Sequence, residues 1–219
     1  SEKGKLKKEI YIKAKNRDWE DLTSDDKGNF YIGDFGNNYC KRKNLKILKI
    51  DKKYLSKKNA EVEEIKFEYE NQYKFPPKKK ALFFDAEAFF YFKNHFYVFT
   101  KSRVKGAYGK TSLYRIPAIK GNHKAKLIDE FDNGKKNDAW ITAADISDDG
   151  KKVVLLSQQN ILIFSDFKED YFLSGDVKEI VFEHKSQKEG ICFKNKNTLL
   201  ITDEKAGGKG GNLYQLSLN

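Results

Sequence analysis

Three glutamates recur at one place in a repeated motif: Glu20 in Asp18-Trp19-Glu20-Asp21, Glu87 in Asp85-Ala86-Glu87-Ala88, and Glu189 in Lys188-Glu189-Gly190-Ile191. A fourth segment, Ala143-Ala144-Asp145-Ile146, has Ala144 at that place and Asp145 one residue on, where the first segment has Asp21. Carboxylates gathered from separate segments repel unless a cation or a hydrogen-bond donor lies between them. Two chemistries meet that need. Glu20, Glu87, Asp145 and Glu189 could hold one divalent ion, and oxygen donors without clustered His or Cys suit Ca²⁺ or Mg²⁺ rather than Zn²⁺, with Ca²⁺ the expected cofactor. Alternatively, the acids accept backbone N–H bonds from a neighbouring element and latch it in place. Both readings stay open at this point.

From Glu20, Glu87, Ala144 and Glu189 to the polar residue closing the next apolar run is 14 positions each time, ending at Asp34, Lys101, Gln158 and Asp203. Latches would repeat in type, whereas a face for an asymmetric ligand would not. Together with their neighbours Asn37, Asn38, Arg103 and Glu204, these four closing residues form the expected ligand-binding face. No catalytic residue is assigned. His95, His123 and His184 fall outside the motifs, and a Gly-x-Ser-x-Gly elbow is absent. The glycine-rich stretch from Lys205 to Gly211 lacks the Gly-Lys-Ser/Thr ending of a phosphate loop and precedes a strand pattern, so it reads as a loop.

The elements that must carry these residues are short strands. Each motif leads through a turn, such as Asp25-Asp26-Lys27-Gly28-Asn29 or Asp148-Asp149-Gly150, into a second apolar run. A third strand follows at 45–50, 112–116, 161–164 and 212–216, and a more charged fourth at 62–67, 125–131 and 177–182. Apolar inner strands and charged outer strands, repeated four times, predict an all-β fold of the β-propeller type, with four four-stranded blades in one domain spanning 1–219. The blade units are 17–72, 81–133, 140–184 and 186–219. The last unit lacks its outer strand: either segment 5–13 closes a four-bladed ring, with 6–12 pairing with 213–218, or the chain comes from a parent of five or more blades, which is the preferred reading. Trp19 and Trp140 are expected to pack between blades as apolar wedges.

Composition narrows the partners. The 219 residues carry 43 Lys+Arg against 32 Asp+Glu, a net charge of +11. Only four of the bases are arginine, the residue that bidentate phosphate and guanine recognition favours, so a solvated lysine surface is expected and no nucleic-acid partner. No apolar run reaches the length of a membrane span, so no transmembrane segment is expected. Cys40 and Cys192 read as unpaired thiols. A monomer is expected.

The segments Asp18-Trp19-Glu20-Asp21, Tyr31-Ile32-Gly33-Asp34-Phe35-Gly36-Asn37-Asn38, Asp85-Ala86-Glu87-Ala88, Ala144-Asp145-Ile146-Ser147-Asp148-Asp149-Gly150 and Glu189-Gly190-Ile191 carry a resemblance. Over 16–219, the chain resembles a family of exported bacterial β-propellers, loosely similar to regucalcin-like and strictosidine-synthase-like propellers. The resemblance implies a propeller and an extracytoplasmic address, and it brings no reaction with it. The expected function is therefore an exported, non-enzymatic binding or scaffold propeller that presents a polar channel face to a small ligand or partner protein. The alternative is a divalent-metal-dependent hydrolase, of lactonase, phosphoesterase or phytase-like type, that uses the channel carboxylates.

Overall fold

The computed structural model describes residues 5–205, 208 and 210–218. Ala206, Gly207 and Lys209 of the glycine-rich stretch lie outside the described residues, as do residues 1–4 and Asn219. The described residues form strands joined by turns and loops, four of which carry a single turn of 3-10 helix. The strands are β1 (Tyr11–Ile12), β2 (Trp19–Ser24), β3 (Phe30–Asp34), β4 (Leu45–Ile50), β5 (Asn59–Ala60), β6 (Glu63–Tyr69), β7 (Asp85–Phe92), β8 (His95–Lys101) and β9 (Lys110–Pro117). They continue with β10 (Gly121–Asp132), β11 (Ala143–Ile146), β12 (Lys152–Leu156), β13 (Asn160–Ser165), β14 (Asp176–Val181), β15 (Lys188–Asn195), β16 (Thr198–Asp203) and β17 (Leu213–Ser217).

Side-chain pattern explains which strand lies where. In β6, Ile65, Phe67 and Tyr69 are buried while Glu64, Lys66 and Glu68 point away, the period-two alternation of a strand with one wet face. In β13, Ile161, Leu162, Ile163 and Phe164 are all buried, because both faces of that sheet are covered. Tight turns close the inner hairpins. Gly28 takes φ +81° in one, where the Asp25 carboxylate accepts the amides of Lys27 and Asn29.

The strands form antiparallel meanders. β2-β3-β4-β6 and β7-β8-β9-β10 are two of them, β11-β12-β13-β14 is a third, and β15-β16-β17 is a three-stranded fourth. The inner strands follow one another in space, with β2 against β7, β7 against β11 and β11 against β15. Apolar seams fill the gaps between successive meanders. Phe35 meets Phe89 edge-on at 5.2 Å in the first seam, and Phe90 meets Phe172 at 5.5 Å in the second. The third seam is aliphatic, with Val154, Leu156 and Ile161 against Leu199 and Ile201. Such face-to-face wedging buries apolar surface on both sides of each sheet.

Two pairings go beyond what the strand pattern showed. First, the N-terminal segment does not complete the last sheet. β1 runs parallel to β5, with Tyr11 opposite Asn59 and Ile12 opposite Ala60. Ions fasten it there: Lys13 pairs with Glu61 at 2.5 Å, and the Lys8 ammonium donates to the Leu55 carbonyl at 2.6 Å. Second, the outer strands of the first two meanders merge. Gly121–Ala125 of β10 pair in parallel with Ile65–Tyr69 of β6, and from Lys126 onward β10 pairs antiparallel with β9. One 12-residue strand thus serves two ladders and makes an eight-stranded sheet. Among the described residues no helix is long and apolar enough to cross a membrane. Both cysteines are unpaired, Cys40 buried and Cys192 exposed.

Candidate functional site

The three motif glutamates sit where their strands break register. In β2, Trp19 pairs with Asp34 but Leu22 with Ile32, so Glu20 and Asp21 together face Gly33 alone. In β7 the ladder shifts across Glu87, between Ala86 and Ala88, and in β15 it shifts across Glu189, between Lys188 and Gly190. β11, which has Ala144 at that place, pairs with β12 in unbroken register. A bulge inserts one unpaired residue and re-aims its side chain, so each glutamate is turned out of the simple alternation. All three line one open cavity of about 730 Å³, to which strands or loops of all four meanders contribute.

Of the expected ligand-binding residues, Asn38, Lys101, Arg103, Gln158, Asp203 and Glu204 line this cavity. Asp34 and Asn37 do not. Asp34 is fully buried and accepts from the Asp18 amide at 3.2 Å and the Arg42 guanidinium at 3.0 Å. The Asn37 amide donates to Asp85 at 2.6 Å and so braces the join between the first two meanders, whereas Asp34 is held within the first. Trp140, Gln187 and Thr202 also line the cavity and were not expected there. Repeat alignment offered a signal for Gln187, which occupies the place of Asp18 and Asp85 in its motif.

Glu87 is the best-partnered of the three glutamates. It pairs with Lys101 and, at 3.2 Å, with Arg103, whose Nε also donates to Asp85 at 2.6 Å and whose Nη2 donates to Asn38. Trp140 does pack across the join to the second meander, meeting Tyr108 edge-on at 5.0 Å, but its setting is not purely apolar. Its half-buried ring lies under both cations, with the Lys101 ammonium 4.9 Å and the Arg103 guanidinium 5.1 Å from its centre, and its Nε1 donates to the Ser102 carbonyl. By contrast, Glu20 and Glu189 have no hydrogen-bond or ion-pair partner among the described residues. Burial, then the charge of Glu87, pushes Glu20 up to about 8 and Glu189 up to about 7. Glu20 is pressed closely from behind: a Cβ on Gly36 would fall 2.0 Å from its Oε1.

The latching role belongs to the next position. Asp21 accepts the Phe89 amide of β7 at 3.2 Å, and Asp145 accepts the Phe193 amide of β15 at 2.8 Å. Burial raises them to about 8 and about 6. Asp145 therefore stands apart from the expected quartet of metal ligands. Among the described residues, no three His, Cys, Asp or Glu side chains converge as a metal shell.

No protein-family model matches the chain, and no curated protein matches it. Solved structures do. A provisionally assigned 6-phosphogluconolactonase from Bacteroides uniformis is 16% identical, with a TM-score of 0.52 over 90% of this chain and 55% of that one. The chain thus spans about half the length of that protein. A plant lectin from Cicer arietinum with two metal-binding sites, 15% identical over 92% of this chain and 87% of its own, reaches a TM-score of 0.40. The hemopexin fold protein CP4 from cow pea, 12% identical over 90% and 92%, reaches 0.39. At such identities only the likeness to the first informs, and it informs on fold: the chain is all-β and propeller-like.

Proposed function

We propose that the protein is a four-bladed, non-enzymatic binding propeller whose channel mouth receives a positively charged small ligand or a basic segment of a partner protein. One observation carries the reading: bulges in three inner strands turn Glu20, Glu87 and Glu189 into a single cavity. Five acids there face two bases, in a chain whose net charge is +11. Lys101, with its ammonium between Glu87 and the Trp140 face, displays within the protein the kind of group the mouth accepts. Glu20 and Glu189 are the acids left to a visitor. The exported address and monomeric state expected from sequence belong to the same proposal.

The divalent-metal hydrolase is the second reading, favoured by the same convergence of glutamates. In it Glu20 and Glu189 would hold the ion, since Glu87 is taken by cations and Asp145 by an amide. Thermal melting separates the two. A ligand bound only by the folded state at about 100 times its Kd adds roughly 2.7 kcal/mol. Stabilisation by organic ammonium compounds such as lysine or putrescine, lost in Glu20→Gln with Glu189→Gln, is expected. Stabilisation by Ca²⁺ or Mg²⁺ alone, reversed by EDTA, would favour the metal reading, and no shift with either would remove the mouth as a cation site.

A further inference from the structure

The four arginines divide unevenly. Arg42 pairs with Asp34, Arg103 with Asp85 and Glu87, and Arg115 with Asp170. Arg17 alone has no ion-pair or hydrogen-bond partner among the described residues, and it lines a cleft of about 390 Å³ on the outer rim. β4, β6 and the first half of β10 floor this cleft, side by side because β6 and β10 pair in parallel. In that register Lys46 stands directly across from Lys66, and Lys66 across from Asn122. Like charges directly opposite are destabilising, and here Glu64 alone bridges the two ammoniums. Lys124 is held by Glu68 at 2.6 Å, while Lys43 lies over the Phe75 ring with no carboxylate. Five bases therefore face two acids in one concave place that shares no lining residue with the channel mouth.

We infer that this cleft binds an acidic polysaccharide, whose sulfate or carboxylate groups are received by Arg17, Lys43 and Lys66. A guanidinium grips an oxyanion through two parallel N–H donors, where an ammonium offers a point charge, so Arg17 sets the orientation. Asn44 and Asn122 lie in the same lining and carry both donors and acceptors, as sugar hydroxyls require. Nucleic acid fits this surface less well. Bases need open aromatic faces to stack on, but Phe67 in the lining is buried and the His123 ring is tied to the Ile119 carbonyl at 2.8 Å.

The test is calorimetric titration of the full chain with heparin and with polygalacturonate, at about 50 and about 150 mM salt. The triple variant Arg17→Gln, Lys43→Gln, Lys66→Gln is compared with Lys168→Gln, Lys178→Gln, Lys196→Gln. Both remove three exposed charges, and unchanged melting confirms that both remain folded. The rim variant is expected to lose about tenfold or more in affinity for at least one polymer, and the distant variant less than about twofold. Equal losses in the two variants, or no saturable binding to either polymer, would overturn the inference. So would an oligothymidylate of matched charge binding as tightly as the glycans.

Discussion

Glu20 at about 8 and Glu189 at about 7 hold their protons for much of the neutral range, so the mouth gains charge as pH rises. An arriving cation favours the ionised forms and should release protons. Affinity for lysine or putrescine is therefore expected to rise from about pH 6 to about pH 8, with binding heats that vary with the ionisation enthalpy of the buffer. The same groups act on stability with the opposite sign. Glu20, Asp21, Asp145 and Glu189 all have folded values above the unfolded ones, so the folded state binds more protons. Their contribution is complete below about pH 4 and is lost as pH passes upward through about 6 to 8. Urea melts at pH 5 and pH 9 should show the decline, and Glu20→Gln should reduce it by about 1 kcal/mol after solvent screening. The latches behave differently. Asp145→Ala strands the Phe193 amide and should cost about 1–3 kcal/mol, while Asp145→Asn, which keeps an acceptor oxygen, should cost less.

At the scale of the element, the inner strands are bulged wherever the motif carries glutamate and regular where it carries Ala144. Gly36 makes the first bulge compatible with its surroundings, since any side chain there would meet both Glu20 and Asp18. Gly36→Ala is expected to cost about 1–3 kcal/mol by overpacking and to weaken cation binding beyond what lost stability explains, read by titration below the melting range. These bulges mark the limit of what the sequence showed. Strand runs, hairpin turns and the 14-residue spacing were legible because period-two burial and glycine turns act locally. Spacing alone could not show an unpaired residue within a run, because the third unit keeps the same interval without one. Glu20 and Asp21 were therefore separable by position but not by role. Asp34 and Asn37 looked like ligand-face residues for a related reason: nothing local foretells that Arg42 and Asp85 bury them.

At the scale of the molecule, the net charge is +11 while the mouth sets five acids against two bases, so salt should act unequally on the two sites. The rim contacts are exposed and should fade between about 50 and about 150 mM salt. Contacts to the half-buried Glu20 and Glu189 should fade less, and titration of both ligand types across one salt series checks this. The partner of β10 was not legible, because its early residues carry the charged outer-strand pattern that either neighbour could pair with. Nor was the destination of the N-terminal segment, whose short apolar and charged mixture suits any strand edge.

The strand shared by two ladders also decides where this chain could be divided. A cut in 70–78 would part β6 from β10 and leave each fragment with a severed ladder. A cut in 133–139 crosses no ladder, and it leaves the eight-stranded sheet whole on one side. Fragments made at the second place, expressed together, should find each other through the aromatic seam around Phe90, Phe99, Phe164 and Phe172 and restore the mouth. Fragments made at the first should not reassemble. Split-reporter complementation of the two pairs would show whether the protein is built of four interchangeable modules or of one fused pair carrying two additions.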